Sequence, residues 1–108
     1  MFDPAKMFVE LETAAEEMCN LQAQADQLTE LKKSRLAALT LDYMKSCKSR
    51  VEAEVRALAD PQYEEYITGM VEADRRANRA KAKYHNLRAL GDARRSEEAS
   101  RRALADGR

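Results

Sequence analysis

Apolar residues near the beginning of the chain recur alternately every four and every three residues. The series is Met7, Leu11, Ala14, Met18, Leu21, Ala25 and Leu28. This alternation is typical of a helix that packs along one narrow seam, as in a coiled coil. Asp3 and Pro4 precede the series: the Asp carboxylate can accept hydrogen bonds from free backbone N–H groups, and proline already has a helical φ. The pattern therefore predicts a first long helix over residues 4–45.

The apolar pattern broadens towards the end of this helix. Residues that cover more than one of its sides are Leu31, Leu36, Leu39, Leu41, Tyr43 and Met44. A single neighbouring helix covers only one stripe, so a second element should lie over this end. The following segment is a candidate because Ser49, with a glutamate three residues later, has the spacing of a capping box. We predict a short helix over residues 50–59, folded over the apex of a hairpin, with Val51, Val55 and Leu58 on one face.

A second Asp-Pro pair, Asp60 and Pro61, repeats the start signal and opens a last long helix, predicted over residues 61–102. Its heptad-like apolar series is Tyr63, Tyr66, Met70, Ala73, Ala77, Ala80, Tyr84, Leu87 and Gly91. The alanines in the middle of the series permit a close approach to the leucines of the first helix. Gly91 is expected to bend or fray the helix, since Gly costs up to about 1 kcal/mol against Ala.

Composition supports helices rather than sheets. The 108 residues, a usual length for one domain, include only three Gly and two Pro, with 44% hydrophobic and 35% charged residues. Such a mixture suits long amphipathic helices with one apolar stripe and a wide polar face. The predicted fold class is all-α: a single domain that forms a long antiparallel helical hairpin, coiled-coil-like, with a short helix at its apex.

Charge is segregated along the chain although the formal net charge is zero. Residues 1–31 contain seven acids and one lysine, a net charge of −6, whereas residues 75–108 contain eleven basic residues and four acids, a net charge of +7. Antiparallel pairing of the long helices brings these two regions together. Exposed ion pairs are worth only a few tenths of a kcal/mol each, so charge favours the orientation while burial of the seam supplies the stability.

Residues suited to catalysis or metal binding are scarce. His85 is the only histidine, with no second ligand at metal-binding spacing, and no glycine-rich phosphate loop occurs. We therefore expect no enzyme activity, no metal and no cofactor. The chain has no apolar run of about 18 residues and no apolar signal segment, which predicts no membrane span and a cytoplasmic location.

Basic residues dominate the middle of the last helix. Six occur without an intervening acid: Arg75, Arg76, Arg79, Lys81, Lys83 and Arg88. Lys81, Arg88, Arg95 and Arg102 are spaced by seven and form one line on a helix, which could follow a phosphate backbone with salt-sensitive affinity.

A second interpretation of these basic residues is structural. They could instead pair with acids of the first helix, for which the candidates are Glu10, Glu16, Glu17 and Asp26. The zero net charge counts against strong non-specific DNA binding by the chain. The sequence leaves both interpretations open.

Three tyrosines, Tyr43, Tyr63 and Tyr66, are expected to meet near the apex. An aromatic cluster could stack on unpaired bases. The alternative, which we favour, is that the three rings belong to the core and point their hydroxyls into water.

The last helix resembles a group of small, mostly uncharacterised coiled-coil proteins of tailed phages and prophages. The residues that show this resemblance are ADPQYEEYITGMVEADRRANRAKAKYHNLRAL, followed by ARRSEEASRRA. It is best over residues 59–103, and in the first helix only the heptad character corresponds. Such proteins are often encoded near single-strand-annealing recombination or replication genes, which implies an accessory role in phage DNA metabolism. The relatives tend to have an aromatic residue where this chain has Gly91 and Asp92.

Taken together, these patterns lead us to expect a non-enzymatic accessory or adaptor protein that acts through helix–helix contacts beside a DNA-processing complex. A direct nucleic-acid binder and an inhibitor of a host protein complex are the alternatives. Ile67, Val71 and Leu90 lie at the edges of the seam, and their incomplete cover predicts a homodimer or higher oligomer.

Overall fold

The computed structural model describes residues 2–107 and contains three α-helices in a rod of 88 × 17 × 16 Å. They are α1 (Pro4–Met44), α2 (Arg50–Leu58) and α3 (Pro61–Asp106), and no strand occurs within the described residues. Helices α1 and α3 run antiparallel: Phe2, just before α1, and Arg102, near the end of α3, line the same cleft at the end of the rod away from α2. The predicted all-α helical hairpin is confirmed.

Side chains just before each helix determine where the helices begin. Asp3, Ser49 and Asp60 each accept a hydrogen bond from a backbone N–H two or three residues later. These caps satisfy donors that have no partner inside the helix. The helices begin at residues 4, 50 and 61, as the sequence indicates, but α3 continues to Asp106 rather than ending at residue 102.

The core of the rod is thin and consists mainly of small residues. Ala25, Ala73 and Ala77 form its central cluster, with the half-buried Leu21 and Leu28 packed against it. Among the described residues, no large side chain is fully buried. Small side chains allow two helices to approach closely, so stability comes from many modest contacts along the seam rather than from one central cluster of large residues.

Gly91 belongs to this seam, and the fraying expected there is not seen. The residue is buried, and α3 continues through it to Asp106. A Cβ atom at this position would lie 3.3 Å from Cγ of Met7 in α1. The glycine therefore lets the N-terminal part of α1 approach α3 closely.

Helix α2 packs in the opposite orientation to the one that its hydrophobicity predicts. Its two buried residues are Ala53 and Ala57, both 0% exposed, whereas Val51, Val55 and Leu58 are 54–70% exposed. The prediction that these three residues form the covering face is wrong. Alanines allow α2 to lie close to the end of α1, and the larger side chains are directed away from that narrow contact.

A glycine-to-alanine pair tests how the seam limits packing. Nothing lies within 4 Å of a Cβ added at Gly69, which is exposed in the first third of α3. Gly69→Ala should therefore stabilise the protein by roughly 0.5–1 kcal/mol, through the lower conformational entropy of the unfolded chain. Gly91→Ala should gain less, because its methyl group requires Met7 to move. Urea unfolding followed by circular dichroism measures both, and a lower stability of Gly69→Ala would contradict the prediction.

Candidate functional site

Five large apolar side chains are exposed around α2 and the end of α1. We call this set the apical surface: Leu41, Met44, Val51, Val55 and Leu58, each 44–70% exposed. Beside it a groove of about 590 Å³ runs between α1 and α2. The groove is lined by Lys33, Leu36, Ala37, Thr40, Leu41, Met44, Arg50, Glu54 and Leu58. The apex thus combines a mostly apolar concave site with an adjoining apolar face.

The charges around the apical surface are mainly positive. Residues 32–58 contain seven Lys or Arg and three Asp or Glu. All three acids are in ion pairs with neighbours four or fewer residues away: Lys45–Asp42 at 3.7 Å, Arg50–Glu54 at 3.1 Å and Arg56–Glu52 at 3.3 Å. The four other basic residues, which have no described carboxylate within 4.0 Å, are Lys32, Lys33, Arg35 and Lys48.

A hydrogen bond between Tyr43 and Asp60 holds the apex together. The Tyr43 hydroxyl donates to Oδ2 of Asp60, while Oδ1 of the same carboxylate accepts from the backbone N–H of Gln62 at 2.7 Å. The end of α1 is thereby tied to the start of α3. This shared hydrogen bond is the main cause that raises the pKa of Tyr43 and lowers the pKa of Asp60.

The three tyrosines expected near the apex do not behave as one cluster. The Tyr66 hydroxyl donates to the backbone carbonyl of Leu28, so the expectation of hydroxyls in water is wrong for Tyr43 and Tyr66. Within residues 2–107 the paired aromatic rings are those of Tyr84 and His85, with centroids 5.5 Å apart. A stacking platform made of the three apical tyrosines therefore does not form.

The basic residues of α3 are all exposed, but they lie on different sides of the helix. Relative to the seam residues Ala73, Ala77 and Ala80, Arg75 and Arg79 are outward-facing heptad positions. Arg76 and Lys83 share one flank of the seam. The opposite flank holds Lys81, Arg88, Arg95 and Arg102, which we call the basic flank.

The ion pairs of these residues are mostly local. Arg75 pairs with Glu72 at 3.7 Å and Arg95 with Asp92 at 2.6 Å, both within α3. The described contact between a basic residue of α3 and an acid of α1 is Lys83 with Glu17, at 3.8 Å. The structural interpretation therefore holds for one pair. The expected partners Glu10, Glu16 and Asp26 form no ion pair with α3.

The register of the hairpin explains this difference between the two flanks. In antiparallel helices equivalent flank positions face each other, as Gln22 and Lys81 do in lining one shallow cleft. The α1 residues on the side of the basic flank include the uncharged Phe8, Ala15 and Gln22 and the acid Asp26, which lines the same cleft as Lys81. On the other flank, Glu17 meets Lys83. Within the described residues, no carboxylate of α1 lies within 4.0 Å of a basic-flank side chain.

Two exposed groups were not singled out by the sequence patterns. The patterns place the outward face of α2 in the core, and they give no signal for Phe8, which is 66% exposed. The spacing of Ala53 and Ala57, four residues apart like Ala73 and Ala77, was the available signal that the alanine face of α2 is the buried one.

No protein family, curated protein or solved structure matches this chain. Within residues 2–107, no three His, Cys, Asp or Glu side chains come together as a metal site. No helix in the described part of the chain is long and apolar enough to cross a membrane.

The hydrogen bond between Tyr43 and Asp60 predicts a specific pH dependence. Tyr43→Phe should lower stability near pH 7. The lowered pKa of Asp60 means that the bond stabilises the fold above about pH 4 and is lost on acidification, and the raised pKa of Tyr43 means that it is lost again as the pH rises beyond about 10. The difference in Tm between the two proteins, measured from pH 2 to 11, should peak between these limits.

Tyr63→Phe is the matched control, because the Tyr63 hydroxyl makes no hydrogen bond with the described residues. Its Tm difference from the wild type should be small over the same pH range. A Tyr43→Phe difference that stays constant through both limits would contradict the assigned role of the bond.

Proposed function

We propose that the protein is a non-enzymatic adaptor whose apex binds an amphipathic helix of a partner protein, with acidic residues flanking the apolar face of that helix. The observation that carries the proposal is the outward orientation of α2, with Val55 62% and Leu58 54% exposed beside an apolar groove. Leu41, Met44 and Leu58 line this groove together, and several exposed apolar side chains around one groove are typical of an interaction site, whereas single exposed leucines are not.

The geometry suits a helix better than an extended peptide. Val51, Val55 and Leu58 are spaced by four and three, so they form a ridge along α2. Such a ridge packs against the equivalent ridge of another helix, and the adjoining groove can receive its anchoring side chains. The described residues offer no free sheet edge for strand addition.

The positive charge of the apex indicates the chemistry of the partner. Its acids are already paired, whereas Lys33, at the groove itself, has no described carboxylate within 4.0 Å. An acidic helix would supply carboxylates to Lys33 and to the nearby Lys32 and Lys48. These charges would favour the correct partner and accelerate association, while the apolar contact would provide most of the affinity.

The resemblance to coiled-coil proteins of phages and prophages supports the biological setting of this proposal. In that setting the partner would belong to a recombination or replication complex, and the protein would act beside it in the cytoplasm. An inhibitor of a host complex would use the same apical surface, with a host protein supplying the helix.

Self-association remains a separate prediction. Val71 and Leu90 are 45% and 44% exposed, and Ile67 is half-buried. Val71 and Leu90 lie nearly three heptads apart and on different flanks of the seam, so they do not form one apolar patch. Light scattering at micromolar concentration distinguishes a 12.3 kDa monomer from a dimer or higher oligomer.

A charge substitution on the apical surface tests the proposed site. The probe is a fluorescent helical peptide with leucines spaced by four and three and glutamates on its flanks, compared with the same peptide carrying lysines. The acidic peptide should bind more tightly. Val55→Asp should weaken it by about tenfold or more, because burial of one such side chain is worth roughly 1.5–3 kcal/mol.

Leu104→Asp is the matched control, since Leu104 is 72% exposed at the far end of α3. It should leave peptide binding unchanged. Equal loss in both variants, or no preference for the acidic peptide, would overturn the proposal. A dimer that Val55→Asp dissociates would show that a second copy occupies the surface instead.

A further inference from the structure

The basic flank is a regular line of cations at the end of the rod away from the apex. Lys81, Arg88, Arg95 and Arg102 recur every seven residues, so successive charges are about 10 Å apart along α3. The whole line is about 30 Å long. Of its four members, Arg95 alone has a described carboxylate within 4.0 Å. Repeated cations at this spacing, three of them without a carboxylate partner among the described residues, suit a flexible polyanion.

Two exposed aromatic rings lie along the same line. His85 is exposed between Lys81 and Arg88 on α3. Its ring and that of Tyr84 form an edge-type (T-shaped) pair with an interplanar angle of 63°. Phe8 of α1 lies on the same side of the rod, next to Met7, whose side chain lies against Gly91 of α3. Rings that are free on one side can stack on bases, and cations beside them can contact phosphates.

We infer that the basic flank, together with Phe8 and His85, binds single-stranded nucleic acid. Unpaired bases can reach the rings, whereas the bases of a duplex are stacked on each other and closed to them. This site lies beyond the proposed function, because the apical surface takes no part in it. Because the net charge of the chain is zero, only the cations of the basic flank attract the phosphates. Binding through such contacts is strongest at low salt.

Charge near the flank limits how many phosphates it can hold. Asp26 lines the same cleft as Lys81, and its carboxylate accepts a hydrogen bond from the Gln22 side chain at 3.0 Å. Asp92 forms an ion pair with Arg95 at 2.6 Å. The flank has four cations, so four phosphate contacts are the upper limit, with a slope of about −3 in a plot of log affinity against log salt for a single strand. Each carboxylate beside a flank cation lowers the number of contacts below four.

Fluorescence anisotropy with a labelled oligothymidylate of about 20 nucleotides tests the inference over a series of salt concentrations. The single strand should bind more tightly than a duplex of the same length, with a slope no steeper than about −3. Polyglutamate, a polyanion without bases, is the competitor. Competition by polyglutamate as effective as that by unlabelled oligothymidylate would overturn the inference in favour of an acidic protein ligand.

Substitutions separate the flank from general basicity. Arg88→Gln should weaken oligothymidylate binding and make the slope shallower by roughly 0.7, the contribution of one contact. Arg79→Gln removes the same charge from an outward position and should have a smaller effect. Equal effects of the two substitutions would overturn the assignment, as would the absence of salt-sensitive binding.

The rings have their own test. Phe8→Ala and His85→Ala should each weaken single-strand binding by about fivefold or more, from the usual contribution of base stacking. Neither should change the affinity for the duplex. Val9→Ala is the matched control for Phe8, since Val9 is 59% exposed on the next residue of α1. Circular dichroism checks that each variant keeps its helix content. Unchanged single-strand affinity in both ring variants would overturn the single-strand assignment.

Discussion

The close approach of α1 and α3 along a seam of small residues is the constraint on which the rest of the structure depends. Ala25 and Ala77 are almost completely buried at its centre, and Gly91 provides the same closeness near the end. Such a close approach leaves little room for large side chains, so Leu39 is buried but most other valines and leucines are half-buried or exposed. The thin core therefore explains both the narrow 17 × 16 Å cross-section of the rod and the apolar surface at its apex.

The ends of the helices and the hairpin itself could be predicted because their signals are local. Asp3 and Asp60 cap helices through contacts within three residues, and a heptad series requires only the chain's own periodicity. The orientation of α2 could not be predicted in the same way. A nine-residue helix with Ala53 and Ala57 on one side and valines on the other has two possible core faces. Hydrophobicity favours the valine face, but the width of the gap beside α1 selects the alanines.

The features of the candidate sites also divide into those that local sequence patterns predict and those that depend on tertiary contacts. The alignment of Lys81, Arg88, Arg95 and Arg102 follows from helical periodicity and was accessible from the sequence. Their lack of ion-pair partners in α1 could not be predicted from the sequence, because the net charge of each segment indicates only that acids and bases lie at the same end of the rod. Whether two side chains meet depends on register: Glu17 lies 3.8 Å from Lys83, whereas Asp26, in the cleft beside Lys81, accepts a hydrogen bond from Gln22 and forms no ion pair with Lys81. The hydrogen bonds of Tyr43 and Tyr66 depend on the same tertiary detail.

The proposed protein site and the proposed nucleic-acid site occupy different parts of the rod. Lys81 lies 20 residues after the start of α3, so the basic flank begins about 30 Å from the apex. Groups this far apart, with no shared side chain, contribute almost independently to binding. A rigid helical rod can still connect the two, because it fixes the distance between what is bound at the apex and what is bound along the flank. The length of the rod, which the 41 and 46 residues of its long helices determine, is then the property that both proposed sites would use, and it requires no conformational change.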